Sequence, residues 1–150
     1  MSIAKRQSKQ REAALVHKTE IRVRFSETDA MQVVWHGEYT RYFEDAREDF
    51  GRKYNGLGYD DIEKSGIFTP VVELHINFCN PLKMNDIAIV EIHYIKSLAA
   101  KICFDYFIYR KTDNLLVAKG FTTQMFTDSK GELLLNPPPY YLQWQKKWGI

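Results

Sequence analysis

Apolar and polar residues change period several times along the chain, and each change marks an element. Over residues 19–25 the apolar Ile21, Val23 and Phe25 alternate with Glu20, Arg22 and Arg24, the period of a half-buried strand. Between Gly37 and Phe50 the period lengthens. Tyr39, Tyr42, Phe43, Ala46 and Phe50 fall at i, i+3, i+4, i+7 and i+11, one apolar stripe along a helix that starts near His36. Arg41 with Asp45, and Glu44 with Arg47, are spaced to pair on its wetter sides. Gly51 is a stop signal, and Asn55, Gly56 and Gly58 extend the break. Residues 60–64 have room for a short helix before Gly66.

Alternation then returns. In Val71–Phe78 the residues Val72, Leu74, Ile76 and Phe78 form one face and Glu73, His75 and Asn77 the other, closed by the turn signal Asn80-Pro81. Ile87–Ile95 and residues 102–109 and 115–126 are further runs rich in Val, Ile, Phe and Tyr, which suggests an antiparallel meander. Pro137, Pro138 and Pro139 end regular structure before an aromatic stretch with Tyr140, Tyr141, Trp144 and Trp148.

Strand, long helix, then four strands predicts an α+β fold: one domain with a five-stranded antiparallel sheet wrapped around one long central helix. It is expected over residues 18–139, between a solvated arm at 1–17, carrying Lys5, Arg6, Lys9 and Arg11, and an aromatic tail at 140–150. A single helix cannot cover both faces of such a sheet. The bare surface and edges predict a second subunit, as a homodimer or a dimer of dimers.

Composition narrows the function classes. With 150 residues, 45% hydrophobic, 27% charged and a net charge of +2, the chain reads as one folded soluble domain. Its basic residues are spread out, which argues against nucleic acid as a partner. The longest apolar runs fall short of the roughly 20 residues of a membrane span. Only Cys79 and Cys103 occur, with no secretory apolar segment, so a reducing, cytoplasmic setting is expected. His17, His36, His75 and His93 lack metal-ligand spacing, so no metal is expected. Neither a Gly-rich phosphate loop nor a Ser-centred nucleophile elbow is present.

The informative stretch joins the first strand to the helix. Asp29 stands seven residues before His36 and the helix start. The first N–H groups of a helix have no intrahelical partner and its dipole favours negative charge there. A loop that turns Asp29 toward that terminus puts a carboxylate and a donor for a substrate carbonyl in one site. Asp29 after Thr28 and before a turn also fits a plain Asx-turn, and His36 fits a residue packed on Tyr39.

The run Thr28-Asp29-Ala30-Met31-Gln32-Val33-Val34-Trp35-His36 resembles the active-site motif of the 4-hydroxybenzoyl-CoA thioesterase family of hotdog proteins. Tyr39, Tyr42-Phe43-Glu44 and Ala46-Arg47 resemble the family's helix, Asn80-Pro81 with Asp86 a later turn, and Ala118-Lys119-Gly120 with Thr122 its last strand. The likeness spans residues 19–139.

The resemblance implies a hotdog fold and hydrolysis of an acyl-CoA, or alternatively an acyl carrier protein thioester, between two subunits without a cofactor. Asp29 is then either the nucleophile that forms a mixed anhydride or the base that activates water. A backbone N–H near His36 polarises the carbonyl, and the His36 ring orients Asp29, water or substrate. Gln32, Val33, Val34, Trp35, Gly37 and Tyr39 line the substrate. One position departs from the family, which usually has Gly where this chain has Gln32, and a glycine there permits tight backbone approach. Two alternatives stay open: a hotdog dehydratase or hydratase using a His with an acid, and a non-catalytic acyl-thioester-binding module.

Overall fold

The computed structural model describes residues 11–150. Lys5, Arg6 and Lys9 of the expected arm lie outside them. Five strands, β1 Leu15–Arg22, β2 Val71–Phe78, β3 Ile87–Ile95, β4 Lys101–Arg110 and β5 Leu115–Met125, form one sheet in the order β1-β3-β4-β5-β2. Every neighbouring pair is antiparallel. Helix α1, Glu38–Lys53, packs on the inner face of this sheet, and two shorter helices, α2 Tyr59–Ser65 and α3 Pro139–Lys147, follow at their places in the chain. This is the α+β hotdog arrangement expected from the sequence.

The apolar stripe of α1 forms the centre of the core. Tyr39, Tyr42, Phe43, Ala46 and Phe50 are all buried, against Val90, Ile92, Tyr94, Phe104, Tyr106 and Ile108 of β3 and β4. Phe43 stacks flat on Tyr106 with centroids 4.1 Å apart. Each such side chain contributes about 1.5–3 kcal/mol on burial. Gly120 of β5 makes this contact possible, since a Cβ there would lie 2.0 Å from the His75 carbonyl oxygen and 2.9 Å from Phe43.

Four boundaries differ from the sequence expectation, each for a local reason. First, β1 begins at Leu15, inside the segment expected to be an arm, with Leu15, His17, Thr19 and Ile21 half-buried and their neighbours exposed. Two of those inward positions are polar because they bond to α1: Asp49 accepts from the Thr19 hydroxyl at 2.7 Å and pairs with the His17 ring at 2.8 Å. Second, the strand stops at Arg22, and Phe25, expected on its inner face, is 77% exposed in a 3-10 turn over Phe25–Glu27. Third, α1 runs through Gly51 to Lys53 and is capped by Tyr54, whose N–H bonds the Phe50 carbonyl. One glycine in the last turn costs about 1 kcal/mol, and Arg52 and Lys53 complement the helix dipole. Fourth, the aromatic stretch after the prolines is α3. Pro139 occupies its first turn, Tyr141 and Trp144 enter the core, and the Trp144 indole donates to the Tyr54 carbonyl at 2.7 Å.

β1 and β2 are the sheet edges. In β2 most of the apolar face expected from the sequence is bare: Val72 and Phe78 are each 54% exposed and Leu74 44%, while Ile76 is half-buried against the core.

Candidate active site

The chain leaves β1 at Arg22, makes the 3-10 turn, and returns to the start of α1 through a loop closed on itself. Asp29 N–H donates to Val33 O and Gln32 N–H to Asp29 O, both at 2.9 Å, and Thr28 bridges Val34. Val34 N–H then reaches Leu82 O at 2.8 Å and Val33 bridges Lys83, so the loop is held against the turn between β2 and β3.

Asp29 is half-buried, and its Oδ1 accepts the Met31 N–H at 2.8 Å. The Asx-turn reading is therefore present in the structure, and it occupies one oxygen. No hydrogen bond to Oδ2 occurs among the described residues. Gln32 has φ +63°, the left-handed conformation that glycine adopts without strain, and its side chain is exposed. The residue that departs from the family's Gly therefore stands in a conformation that favours glycine.

At the helix start, Gly37 is the N-cap of α1 and supplies no side-chain cap. Trp35 N–H bonds Glu27 O and Glu38 N–H bonds Trp35 O, each at 2.9 Å. Among the described residues the backbone N–H groups of His36 and Gly37 have no backbone acceptor. They are free donors at the positive end of a 16-residue helix. A Cβ added at Gly37 would sit 2.2 Å from the Trp35 ring, so a larger residue there requires the exposed Trp35 side chain to move.

An aromatic wall borders these donors. The exposed His36 ring lies 5.0 Å from Trp35 and 6.4 Å from Phe78, and Tyr39 meets Phe78 edge-on at 5.1 Å. Among the described residues His36 makes no hydrogen bond to Asp29. Val34 and Tyr39 belong to the core, whereas Trp35, His36 and Gln32 face solvent. Burial pushes the Tyr39 hydroxyl up to about 12, so it stays a protonated donor. Phe78 was not among the residues singled out by sequence. In the sequence it is one of four alternating apolar residues of β2, and no local signal places that face beside the start of α1.

A family model described as thioesterase-like superfamily matches residues 23–145, from the end of β1 into α3. The chain belongs to the thioesterase-like superfamily. As a member it is a thioester hydrolase by class, in agreement with the expectation drawn from the Asp29 segment. The chain is 32% identical over 100 residues to the acyl-CoA thioesterase YbgC of Haemophilus influenzae, covering 67% of this chain and 72% of that one. Among solved structures, the DHNA-CoA thioesterase of Staphylococcus aureus superposes with a TM-score of 0.79 at 28% identity, covering 89% of each chain. The 4-hydroxybenzoyl-CoA thioesterase of Pseudomonas sp. strain CBS-3 superposes with a TM-score of 0.76 over 86% of this chain and 98% of that one. At 20% identity that likeness establishes the hotdog fold alone. No helix among the described residues is long and apolar enough to cross a membrane, and no group of His, Cys, Asp or Glu there has the makings of a metal site.

Proposed function

We propose that the protein hydrolyses acyl-CoA thioesters at the loop between β1 and α1, with Asp29 as the reacting carboxylate. The observation that carries this reading is the pairing, on one hydrogen-bonded loop, of a carboxylate with an uncommitted oxygen and two unpartnered N–H groups at the start of α1. The thioester carbonyl oxygen accepts from the His36 and Gly37 N–H groups, which hold the charge that develops as the carbonyl carbon becomes tetrahedral. Asp29 Oδ2 then acts in one of two ways. As nucleophile it bonds the carbonyl carbon, the C–S bond breaks, the CoA thiolate leaves, and water hydrolyses the mixed anhydride. As base it takes a proton from water, whose oxygen makes the bond instead. Trp35 and Gln32 border the entrance, and the His36 ring orients water or substrate.

The working unit in this reading is a homodimer joined along β2. Among the described residues that strand pairs only with β5, it exposes Val72, Leu74 and Phe78, and Phe78 touches His36, so the edge and the site are contiguous. A strand edge left bare with apolar side chains is the kind of surface a second copy covers.

The test is thiol release from a panel of aliphatic and aromatic acyl-CoAs and an acyl carrier protein thioester. Stoichiometric release of CoA and free acid from at least one acyl-CoA is expected. Tight binding with no thiol release across the panel supports the binding module. Hydration or dehydration of an enoyl or hydroxyacyl thioester with the C–S bond intact supports the dehydratase alternative.

A further inference from the structure

The reading of Asp29 leaves a second carboxylate in the same loop unexplained. Glu27 is 7% exposed, and its Oε1 accepts two hydrogen bonds, from Arg24 N–H at 2.8 Å and from the Tyr42 hydroxyl at 3.0 Å. The first bond fixes the point where the chain leaves β1. The second fixes the loop to α1, because Tyr42 lies on that helix, fully buried and 5.8 Å from the Tyr39 ring. The main-chain carbonyl of the same residue accepts Trp35 N–H at 2.9 Å. Glu27 therefore holds both ends of the 28–34 loop, and the loop that closes between them carries Asp29.

A carboxylate is a poor choice for filling space at such a position. Burial disfavours its charge unless donors compensate, and a packed apolar residue gives as much stability without that cost. What the carboxylate adds is one atom that accepts from two directions at a fixed geometry. Its donor is dependable as well: burial first, and the neighbouring Glu27 second, push the Tyr42 hydroxyl far up, so it remains protonated.

We propose that Glu27 is a positioning residue, tying the end of β1, the body of α1 and the helix start together so that Asp29 keeps a constant setting against the His36 and Gly37 N–H groups. This rests on the proposed part of Asp29 in hydrolysis. Loss of the tie leaves the substrate-lining residues in place and loosens the reacting groups, so it appears in kcat and hardly in KM.

Steady-state kinetics of Glu27→Ala, Glu27→Gln and Tyr42→Phe, beside Asp29→Asn and with rates expressed per folded molecule from circular dichroism, test the proposal. Glu27→Ala is expected to lower kcat by roughly 10- to 100-fold with KM within about threefold. Glu27→Gln is expected to return to within about fivefold of wild type, because an amide oxygen can accept both bonds. Tyr42→Phe, which removes one donor and keeps the ring, is expected to lower kcat by about three- to tenfold. An inactive Asp29→Asn together with Glu27→Ala at wild-type kcat overturns the positioning of Asp29 by Glu27 and leaves the Asp29 reading standing. A fully active Asp29→Asn overturns that reading and this proposal with it. Glu27→Gln as slow as Glu27→Ala overturns the hydrogen-bonded tie. Should Glu27→Ala fail to fold, Tyr42→Phe with unchanged kcat overturns the proposal on its own.

Discussion

Gln32→Gly isolates what the family's glycine does from what this chain has put in its place. The residue sits at φ +63°, where an L side chain brings its Cβ against the following carbonyl at a cost of about 1–2 kcal/mol. Glycine removes that strain, and it also frees the unfolded chain, which returns about 0.5–1 kcal/mol. The net expectation is a gain of about 0.5–1 kcal/mol, or a rise in Tm of about 2–3 °C for a domain of this size. Because the Gln32 side chain is exposed and makes no hydrogen bond among the described residues, turnover should stay within a few-fold of wild type. Differential scanning calorimetry and thiol-release kinetics on the same preparations check both parts. A lower Tm refutes the strain assignment. A fall in kcat of about 10²-fold, matched by Gln32→Ala and Gln32→Glu with folding intact, refutes the turn-only role and makes Gln32 an oxyanion donor.

Three further outcomes follow from particular contacts. Gly120→Ala should destabilise the protein by at least about 2 kcal/mol, since its Cβ meets the His75 carbonyl and Phe43 and backbone must shift; the midpoint of urea unfolding measures it, and an unchanged midpoint contradicts the close approach. Thr19 and then His17 hold the Asp49 carboxyl below its ordinary value of 3.8. A depressed carboxyl adds stability that is present above the ordinary value and lost as pH falls through the lowered one. The Tm difference between wild type and Asp49→Asn should therefore narrow as pH drops below 3.8, and a gap that widens there contradicts the pairing. Leu74→Asp puts a charge on the bare face of β2 and should convert a dimer to a monomer by light scattering, with circular dichroism unchanged; equal masses for the two proteins contradict pairing along that edge.

Much of the fold was legible because the inner strands and the long helix carry uninterrupted periodicity. β2 and β3 match their expected bounds, β4 is one residue longer at each end, β5 is one residue shorter at its C-terminal end, and the stripe from Tyr39 to Phe50 is the buried face of α1. The misses share a cause, which is that a tertiary partner overrode a local signal. The inward face of β1 holds His17 and Thr19, whose bonds to Asp49 are invisible to a search for apolar alternation. Gly51 ends nothing because Phe50 before it is anchored among Tyr94, Phe104 and Trp144. α3 did leave a signal: proline at the first turn, then Tyr141, Trp144 and Trp148 at helical spacing with Lys146 and Lys147 in the last turn. In the site, the segment from Asp29 to Gly37 was readable from sequence, while Phe78 and Glu27 were not. Phe78 depends on where β2 lies in the sheet, and Glu27 on a bond to a residue fifteen positions away.

The central claim is that the negative charge of Asp29 drives hydrolysis, as nucleophile or as base. Asp29→Asn keeps the side chain's size, and its amide oxygen can still accept the Met31 N–H that makes the turn. What it removes is charge and basicity. The deciding measurement is the steady-state rate of thiol release by Asp29→Asn on the best acyl-CoA, with a non-hydrolysable analogue to measure affinity and circular dichroism to confirm folding. A loss of roughly 10²-fold or more in kcat with affinity nearly unchanged is the predicted result. Hydrolysis by Asp29→Asn at near the wild-type rate contradicts the account and removes Asp29 from the reaction.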